Sequence, residues 1–312
     1  MGEFIGYFNV RRFQKYYNGM KKIFSLAFCS VMLISISLFT ACKSKVQVLE
    51  DGLRFCEAVY VYDDVMYIYN FGSDVLSPIQ DSVSGGYILQ YDGEKMDTLI
   101  GPDCGLYAPK GMARAGNFLY VADVNRIHAI NLTADNKKPI TIPLASKDVF
   151  VNHLLVINDV LLISVTNSNH ILALVLNEDG SPAISGVQIY FSVPGPNGLA
   201  FSDGKLFIAS YNPSGTSSQE NVIYVVEDFN NPVPKPFISR SGQYDGLAIK
   251  NGWLYFSDWN NGTIGKINLG KPDQIITLNT DFTMQGPAQI SFFDDYLCIP
   301  DLVGSKIFML LD

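Results

Sequence analysis

Three residues of this chain carry the oxygen atoms that hard divalent cations prefer. Glu57 offers a carboxylate, Asn197 an amide oxygen and Asp245 a second carboxylate. Such oxygens are the usual protein ligands of Ca²⁺ and Mg²⁺, and Zn²⁺ is a further candidate. A cation there would polarise a carbonyl group, and Asp245 is the candidate general base that takes a proton from water. The competing interpretation is structural, because Asn and Asp next to Gly often hydrogen-bond loop backbone.

The three residues occupy the same position of a unit that occurs six times. Nine residues after this position a second apolar strand begins in every copy, and turn-forming residues such as Asn251-Gly252 separate the two strands. The copies recur every 42 to 53 residues and add a third and usually a fourth strand. The six opening positions are Glu57, Lys110, Asn152, Asn197, Asp245 and Ala288.

Four strands in roughly 40–50 residues are typical of one β-propeller blade. The chain is therefore predicted to be all-β, a six-bladed β-propeller over residues 53–312, with loop insertions at 73–86 and 213–221. The last unit holds only three strands. A strand at about 46–50 is expected to pair with the third of them, at 306–311, because closing the ring protects two bare sheet edges.

The innermost strands of a propeller line a central channel, so the six opening positions are expected around its mouth. This position makes Lys110 and Asn152 candidates for ligand binding. Tyr211 and Tyr244 flank strands and are candidates for an aromatic rim against a sugar ring, as is Trp259. Aromatic residues at strand ends also commonly pack, which is the alternative for all three.

Other polar residues of the repeat predict structural roles. Asp123, Asp258 and Asp301 end second strands, and we expect them to bond neighbouring blades. His153 stands where three of the six units have a Gly directly after the opening position, and a packed histidine is expected there. The sequence has no Gly-x-Ser-x-Gly elbow and no phosphate-binding loop.

Residues 1–41 have the features of a secretory signal peptide with an N-terminal extension. Met20-Lys21-Lys22 begins a basic segment, an apolar run follows, and small residues precede Cys42. This order resembles the bacterial lipobox, which implies cleavage before Cys42 and lipid on its sulfur. Residues 42–52 would then be the lipid tether and closing strand of a periplasmic or outer-membrane lipoprotein of the cell envelope. The alternative is an uncleaved anchor, although the apolar run is short for a bilayer span.

Charge and cysteine content narrow the choice of partners. Loss of residues 1–41 changes the net charge from −8 to −12, because five basic residues and one acidic residue are removed. A chain with this net negative charge is not expected to bind nucleic acid, because such binding depends on Lys and Arg side chains that neutralise the phosphates. A monomer is expected. Cys56 and Cys104 either pair in an oxidising envelope or stay free together with Cys298.

Three segments around the candidate ligands resemble the senescence marker protein, gluconolactonase and luciferin-regenerating enzyme family of six-bladed propellers. They are Phe55-Cys56-Glu57-Ala58-Val59, Gly195-Pro196-Asn197-Gly198-Leu199-Ala200 and Tyr244-Asp245-Gly246-Leu247-Ala248. In that family the matching Glu, Asn and Asp hold a divalent cation. The resemblance, which runs from about residue 54 to the C-terminus, implies a Ca²⁺ site at Glu57, Asn197 and Asp245. It also implies hydrolysis of a sugar lactone or similar ester, with Asp245 as catalytic base.

Two features favour a different function for the same site. Asn-Gly-Leu-Ala and Asp-Gly-Leu-Ala also occur in NHL-type propellers that bind a small molecule or a protein partner without any reaction. Family enzymes carry Asn-Asp-Gly at the start of blade two, where this chain has Pro109-Lys110-Gly111. Lys110 either pairs with Glu57 or Asp245 and takes the place of the metal, or holds an anionic ligand such as a sugar acid.

Overall fold

The computed structural model describes residues 45–76 and 84–312. The predicted signal peptide at 1–41 and the predicted lipid attachment site Cys42 lie outside the described residues. Val46–Asp312 forms one compact unit. No helix in the described ranges combines the length and apolar character needed to cross a bilayer.

The described chain forms six four-stranded antiparallel sheets, as predicted for a six-bladed β-propeller. Blades one and two are β2 Cys56–Tyr62, β3 Val65–Asn70, β4 Tyr87–Tyr91, β5 Met96–Ile100, β6 Pro109–Ala115, β7 Phe118–Asp123, β8 Arg126–Asn131 and β9 Ile140–Pro143. Blades three and four are β10 Val151–Ile157, β11 Val160–Val165, β12 His170–Leu176, β13 Pro182–Ser192, β14 Pro196–Ser202, β15 Lys205–Ser210, β16 Tyr224–Val226 and β17 Lys235–Pro236. Blades five and six are β18 Tyr244–Lys250, β19 Trp253–Asp258, β20 Thr263–Asn268, β21 Lys271–Thr277, β22 Ser291–Phe293, β23 Tyr296–Asp301, β24 Lys306–Leu311 and β1 Val46–Leu49. Two short 3₁₀ turns, Pro102–Cys104 and Thr166–Ser168, complete the described secondary structure.

The ring closes as the sequence predicts. Strand β1 pairs antiparallel with β24, from Val46 opposite Leu310 to Leu49 opposite Ile307. On the inner side, the segment that leads into β22 is joined to β2 by two backbone hydrogen bonds. The Gln289 amide donates to the Glu57 carbonyl (3.1 Å), and the Gln289 carbonyl accepts from the Val59 amide (3.4 Å). The first strand of every blade contacts the first strand of the next, so the inner strands surround a common axis.

Local sequence explains the hairpins within the blades. At the turn between β18 and β19, Asn251 and Gly252 have φ of 52° and 76°, which is the left-handed backbone that this pair tolerates best. Five residues of β19, from Leu254 to Asp258, are buried. Leu254 and Phe256 pack against Leu206 and Ile208 of the preceding blade. Burial of each such large side chain contributes about 1.5–3 kcal/mol, so the core lies between neighbouring sheets.

The cysteines that the structure describes are free thiols. Cys56 and Cys298 are buried, whereas Cys104 is exposed. Of the two alternatives for Cys56 and Cys104, the structure therefore has the unpaired one.

Candidate functional site

A β-bulge at the start of each first strand positions the candidate residues. In blade five Tyr244 pairs with Asp258, and the next pair is Leu247 with Phe256, so one extra residue is accommodated on β18. The same shift occurs in the first strands of blades one to four. Bulges redirect side chains that a regular strand would alternate between its two faces. The bulged positions are Glu57, Lys110, Asn152, Asn197 and Asp245.

The residue after the bulged position explains the recurring glycine of the repeat. A Cβ on Gly246 would lie 2.5 Å from the Ala288 carbonyl oxygen and 2.6 Å from the Ile290 nitrogen of the next blade. The Gly246 amide donates to the Ser257 hydroxyl at 2.7 Å, and that hydroxyl donates to the Ala288 carbonyl at 2.8 Å. Glycine is therefore required by the close approach of two inner strands, and Ser257 holds the bulge in place.

Three of the bulged residues line one cavity of about 70 Å³ at the channel mouth, namely Glu57, Asn152 and Asp245. The rest of its wall is aromatic or aliphatic and comes from loops that follow or precede the strands. These residues are Leu76, Phe150, Tyr211, Trp259 and Leu302. The site thus combines buried carboxyl groups with an apolar rim that limits the access of water.

Asn197 contacts Asp245, which forms part of the wall of this cavity. The Asn197 Nδ2 atom donates to Asp245 Oδ2 at 3.3 Å. Asn197 is 1% and Asp245 4% exposed, yet Asn197 Oδ1 and Asp245 Oδ1 have no hydrogen-bond partner among the described residues. Most buried polar atoms are paired, so these two oxygens in adjacent side chains are candidates for contact with a ligand.

The donor set fits a hard divalent cation. In the part of the chain that the structure describes, no three His, Cys, Asp or Glu side chains form a metal cluster. The predicted set differs, because it combines the carboxyl groups of Glu57 and Asp245 with the amide of Asn197. Two of its oxygens are the orphaned atoms, and oxygen is the ligand atom that Ca²⁺ and Mg²⁺ prefer.

The electrostatics of the site are set by burial. Burial raises the pKa of Glu57 to about 7, and attraction to Lys110 opposes the rise. Burial also raises the pKa of Asp245, repulsion from Glu57 adds to the rise, and the hydrogen bond from Asn197 opposes it. The two carboxyl groups therefore titrate together, and the site takes up protons more readily than free carboxylates do.

Lys110 brings a positive charge to the same ring. Its side chain is fully buried, and its Nζ atom donates to the Ala108 carbonyl at 3.3 Å. The Nζ atom also lies 5.4 Å and 5.3 Å from the ring centroids of Phe71 and Phe150, within the range of cation–π attraction. Burial lowers the pKa of Lys110, whereas the charge of Glu57 acts to raise it.

The two predicted tyrosines differ in position. Tyr211 lines the cavity, and its ring lies edge-on to Phe150 at a centroid distance of 6.5 Å. Tyr244 is fully buried, packs edge-on against Phe256 at 5.1 Å, and donates its hydroxyl to the Arg240 carbonyl at 2.9 Å. The structure therefore places Tyr244 in the packing of blade five, outside the cavity wall.

The residues with predicted structural roles make mostly local bonds. Asp123 accepts hydrogen bonds from the amides of Tyr107 (2.9 Å) and Ala108 (2.8 Å), which belong to the connection that enters its own blade. Asp301 holds Gln285 and Gly286 in the same way, at 3.0 and 2.8 Å. These aspartates bond the incoming connection to the second strand, whereas we expected bonds between blades.

His153 is a packed histidine, as predicted. It is 7% exposed, and its Nδ1 atom accepts a hydrogen bond from the Leu199 amide of the next blade at 2.7 Å. Burial lowers its pKa to about 3, so the ring stays neutral.

Sequence reasoning did not find three residues of the cavity wall. Leu76, Phe150 and Leu302 lie in connections, where no alternating pattern marks the direction of a side chain. The one available signal was position, because Phe150 immediately precedes β10 and Leu302 immediately follows β23.

Comparisons with known proteins identify the fold. No family model matches the chain, and no curated protein matches it. A gluconolactonase from Xanthomonas campestris superposes with a TM-score of 0.61 at 18% identity, over 85% of this chain and 89% of that one. Virginiamycin B lyase from Staphylococcus aureus gives a TM-score of 0.56 at 16% identity, over 86% and 99%. A chain of a nidogen/laminin complex gives 0.57 at 12% identity, over 85% and 89%. At such identities the likeness concerns the fold alone, and this chain is a six-bladed β-propeller.

Proposed function

We propose that the channel mouth hydrolyses a small lactone or similar ester with the help of a divalent cation. One observation carries the proposal: Asn197 and Asp245 each leave a buried oxygen without a partner, beside the carboxyl group of Glu57. These three residues would hold the cation. When bound, it would supply Lewis-acid polarisation of a carbonyl oxygen.

The side chains of the chain itself would handle the proton. Ionised Asp245 is the general base, and the Asn197 amide fixes its orientation by donating to Oδ2. Because burial raises the pKa of Asp245, the carboxylate is a stronger base than one in water once it is ionised. The apolar rim formed by Phe150, Trp259 and Leu302 excludes bulk water from the reacting group.

Hydrolysis of glucono-1,5-lactone tests the proposal. The wild type, treated with a chelator and then supplied with Ca²⁺, Mg²⁺ or Zn²⁺, is compared with Asp245→Asn. We expect the wild type to require the cation and the variant to lose at least a hundredfold in turnover, the lower range of general-base contributions. Equal turnover by the two proteins would remove Asp245 as the base.

The second candidate is a propeller that binds a small anion without reaction, and the buried Lys110 favours it. An ammonium group in the ring offsets part of the charge that a cation would otherwise balance. Calorimetric titration with gluconate tests this function. Binding that needs no divalent cation and is lost in Lys110→Met supports it, and cation-dependent lactone turnover argues against it.

The proposed location rests on the sequence around Cys42. We expect the protein to be held to the bacterial envelope by a lipid on this residue. Incorporation of labelled palmitate into the wild type, and its absence in Cys42→Ala, is the expected result. Equal labelling of both proteins contradicts it.

A further inference from the structure

A second, larger cavity lies beside the channel mouth, between blades three and four. Its volume is about 560 Å³, and we call it the blade-three–four cleft. The turn after β11, the connection from β13 to β14 and the loop after β15 form its walls. Its polar lining includes Asn169, Ser192, Tyr211, Asn212 and Glu220.

The cleft and the mouth cavity share a wall and open on the same end of the ring. Tyr211 lines both. Second strands end and first strands begin at this end, which also carries the bulged residues. Small-molecule sites usually measure roughly 300–1,000 Å³, a range that includes the cleft but excludes the mouth cavity of about 70 Å³. A ligand reacting at the mouth would therefore have most of its volume elsewhere.

Two side-chain amides of the cleft are held in place by a hydrogen bond to their oxygen atom, and their nitrogen atom remains available as a donor. Asn169 Oδ1 accepts from the Gly195 amide at 2.8 Å, and Asn212 Oδ1 accepts from the Ser214 amide at 3.0 Å. The Nδ2 atoms of both have no protein partner among the described residues, and neither does the Tyr211 hydroxyl. Fixed donors that point into a cavity bind at a low entropic cost, since their rotamers are already ordered.

The charge of the cleft limits its ligand. Its lining is rich in Asn, Ser and Thr, holds the single carboxyl group of Glu220, and includes no Lys, Arg or His. Amide donors, hydroxyl groups and one carboxylate match the hydroxyl groups of a saccharide, and the Tyr211 ring offers an apolar face to its carbons. An anionic ligand would be repelled by Glu220 and would find no cation to pair with.

We propose that the blade-three–four cleft binds a neutral, hydroxyl-rich ligand of the saccharide class. Binding in the cleft stands on its own. One end of the same molecule would extend beyond Tyr211 into the mouth cavity, and this second part of the proposal rests on the proposed function. The substrate class would then be a saccharide that carries a terminal lactone or ester, longer than a single sugar ring.

Isothermal titration calorimetry on the full-length protein with maltose, cellobiose and glucuronate tests the cleft. We expect at least one of the two neutral disaccharides to bind and glucuronate to bind at least tenfold more weakly. The double variant Asn169→Asp/Asn212→Asp keeps both accepted hydrogen bonds but replaces each free donor with an acceptor. We expect a loss of affinity of at least tenfold, about 1.4 kcal/mol.

Asn230→Asp is the matched control, because it makes the same chemical change at an exposed residue outside the cleft. Its affinity should stay within twofold of the wild type. In Glu220→Gln the ratio of disaccharide affinity to glucuronate affinity should be smaller than in the wild type. This variant tests the role of the Glu220 charge independently of the double variant. Absence of binding by both disaccharides, or an unchanged affinity in the double variant, overturns the proposal.

Asp245→Asn separates this proposal from the proposed function. Loss of hydrolysis with retained disaccharide binding supports a cleft that acts independently of the chemistry. Loss of disaccharide binding in Asp245→Asn but not in the double variant would place the saccharide in the mouth, and the cleft would then not be the binding site.

Discussion

Replacement of Glu57 by Gln should change how the stability of the protein depends on pH. Glu57 is 5% exposed, and burial raises its pKa from 4.5 to about 7. Between these two values the folded protein binds more protons than the unfolded chain. Stability must therefore fall as pH rises through this range, and the loss is complete above about pH 7.

The size of the effect follows from the shift. One pKa unit corresponds to about 1.4 kcal/mol, so the shift of Glu57 corresponds to about 3 kcal/mol between pH 4.5 and 8. Glutamine is similar in shape and does not titrate. The free energy of unfolding of the variant, relative to that of the wild type, should therefore rise by about 3 kcal/mol between pH 4.5 and pH 8. The stability of the variant still depends on pH through Asp245, because this second carboxyl group of the pair also has a raised pKa.

Urea unfolding at intervals from pH 4.5 to 8 measures this difference. Only the change in the difference with pH matters, since groups that do not interact with Glu57 titrate equally in both proteins. Glu94→Gln, which changes an exposed glutamate, is the control and should run parallel to the wild type. If the curves of Glu57→Gln and the wild type also stay parallel across the range, Glu57 is not a buried carboxyl group with a raised pKa.

Four further outcomes are expected. Lys110→Met removes the charge that opposes the raised pKa of Glu57, so the fall in stability in urea titrations should extend to a higher pH than in the wild type. Asp301→Ala leaves two backbone amides without their acceptor and should cost about 3 kcal/mol in urea unfolding, and a change below 0.5 kcal/mol would contradict its role. Gly246→Ala forces a Cβ against the next blade and should lower stability by about 3 kcal/mol, or lower the melting temperature by several degrees. Deletion of Val46–Leu49 exposes the edge of β24 and should produce concentration-dependent association in sedimentation experiments, and a monodisperse deletion variant would argue against closure by β1.

The architecture was predictable because it is encoded locally and repeatedly. Turn pairs such as Asn251-Gly252 are visible in a single copy of the repeat. Comparison of the copies shows the constant spacing of nine residues and the final unit with only three strands. Hairpin register follows from such short-range signals. Ring closure by β1 followed from the strand that the last blade lacked.

The details of the site were less predictable because they depend on contacts between blades. The repeat placed Glu57, Asn197 and Asp245 at equivalent positions, but the bulge that redirects their side chains is marked in sequence only by the glycines after Asn197 and Asp245. Tyr211 and Tyr244 both flank strands and were both predicted to form the rim, yet Tyr211 lines the cavity and Tyr244 packs within its blade. The blade-three–four cleft lies between two blades and a loop, which alternation patterns do not describe.

The pairing of β1 with β24 has a consequence for the time course of folding. Val46 lies opposite Leu310, so blade six needs strands from the two extremes of the described unit. Contacts so distant in sequence carry a large loop-closure cost and form late. During synthesis the first five blades can assemble in order, whereas the ring stays open until β24 is available. We expect the growing chain to depend on protection of its exposed sheet edge until then, since unpaired edges associate readily.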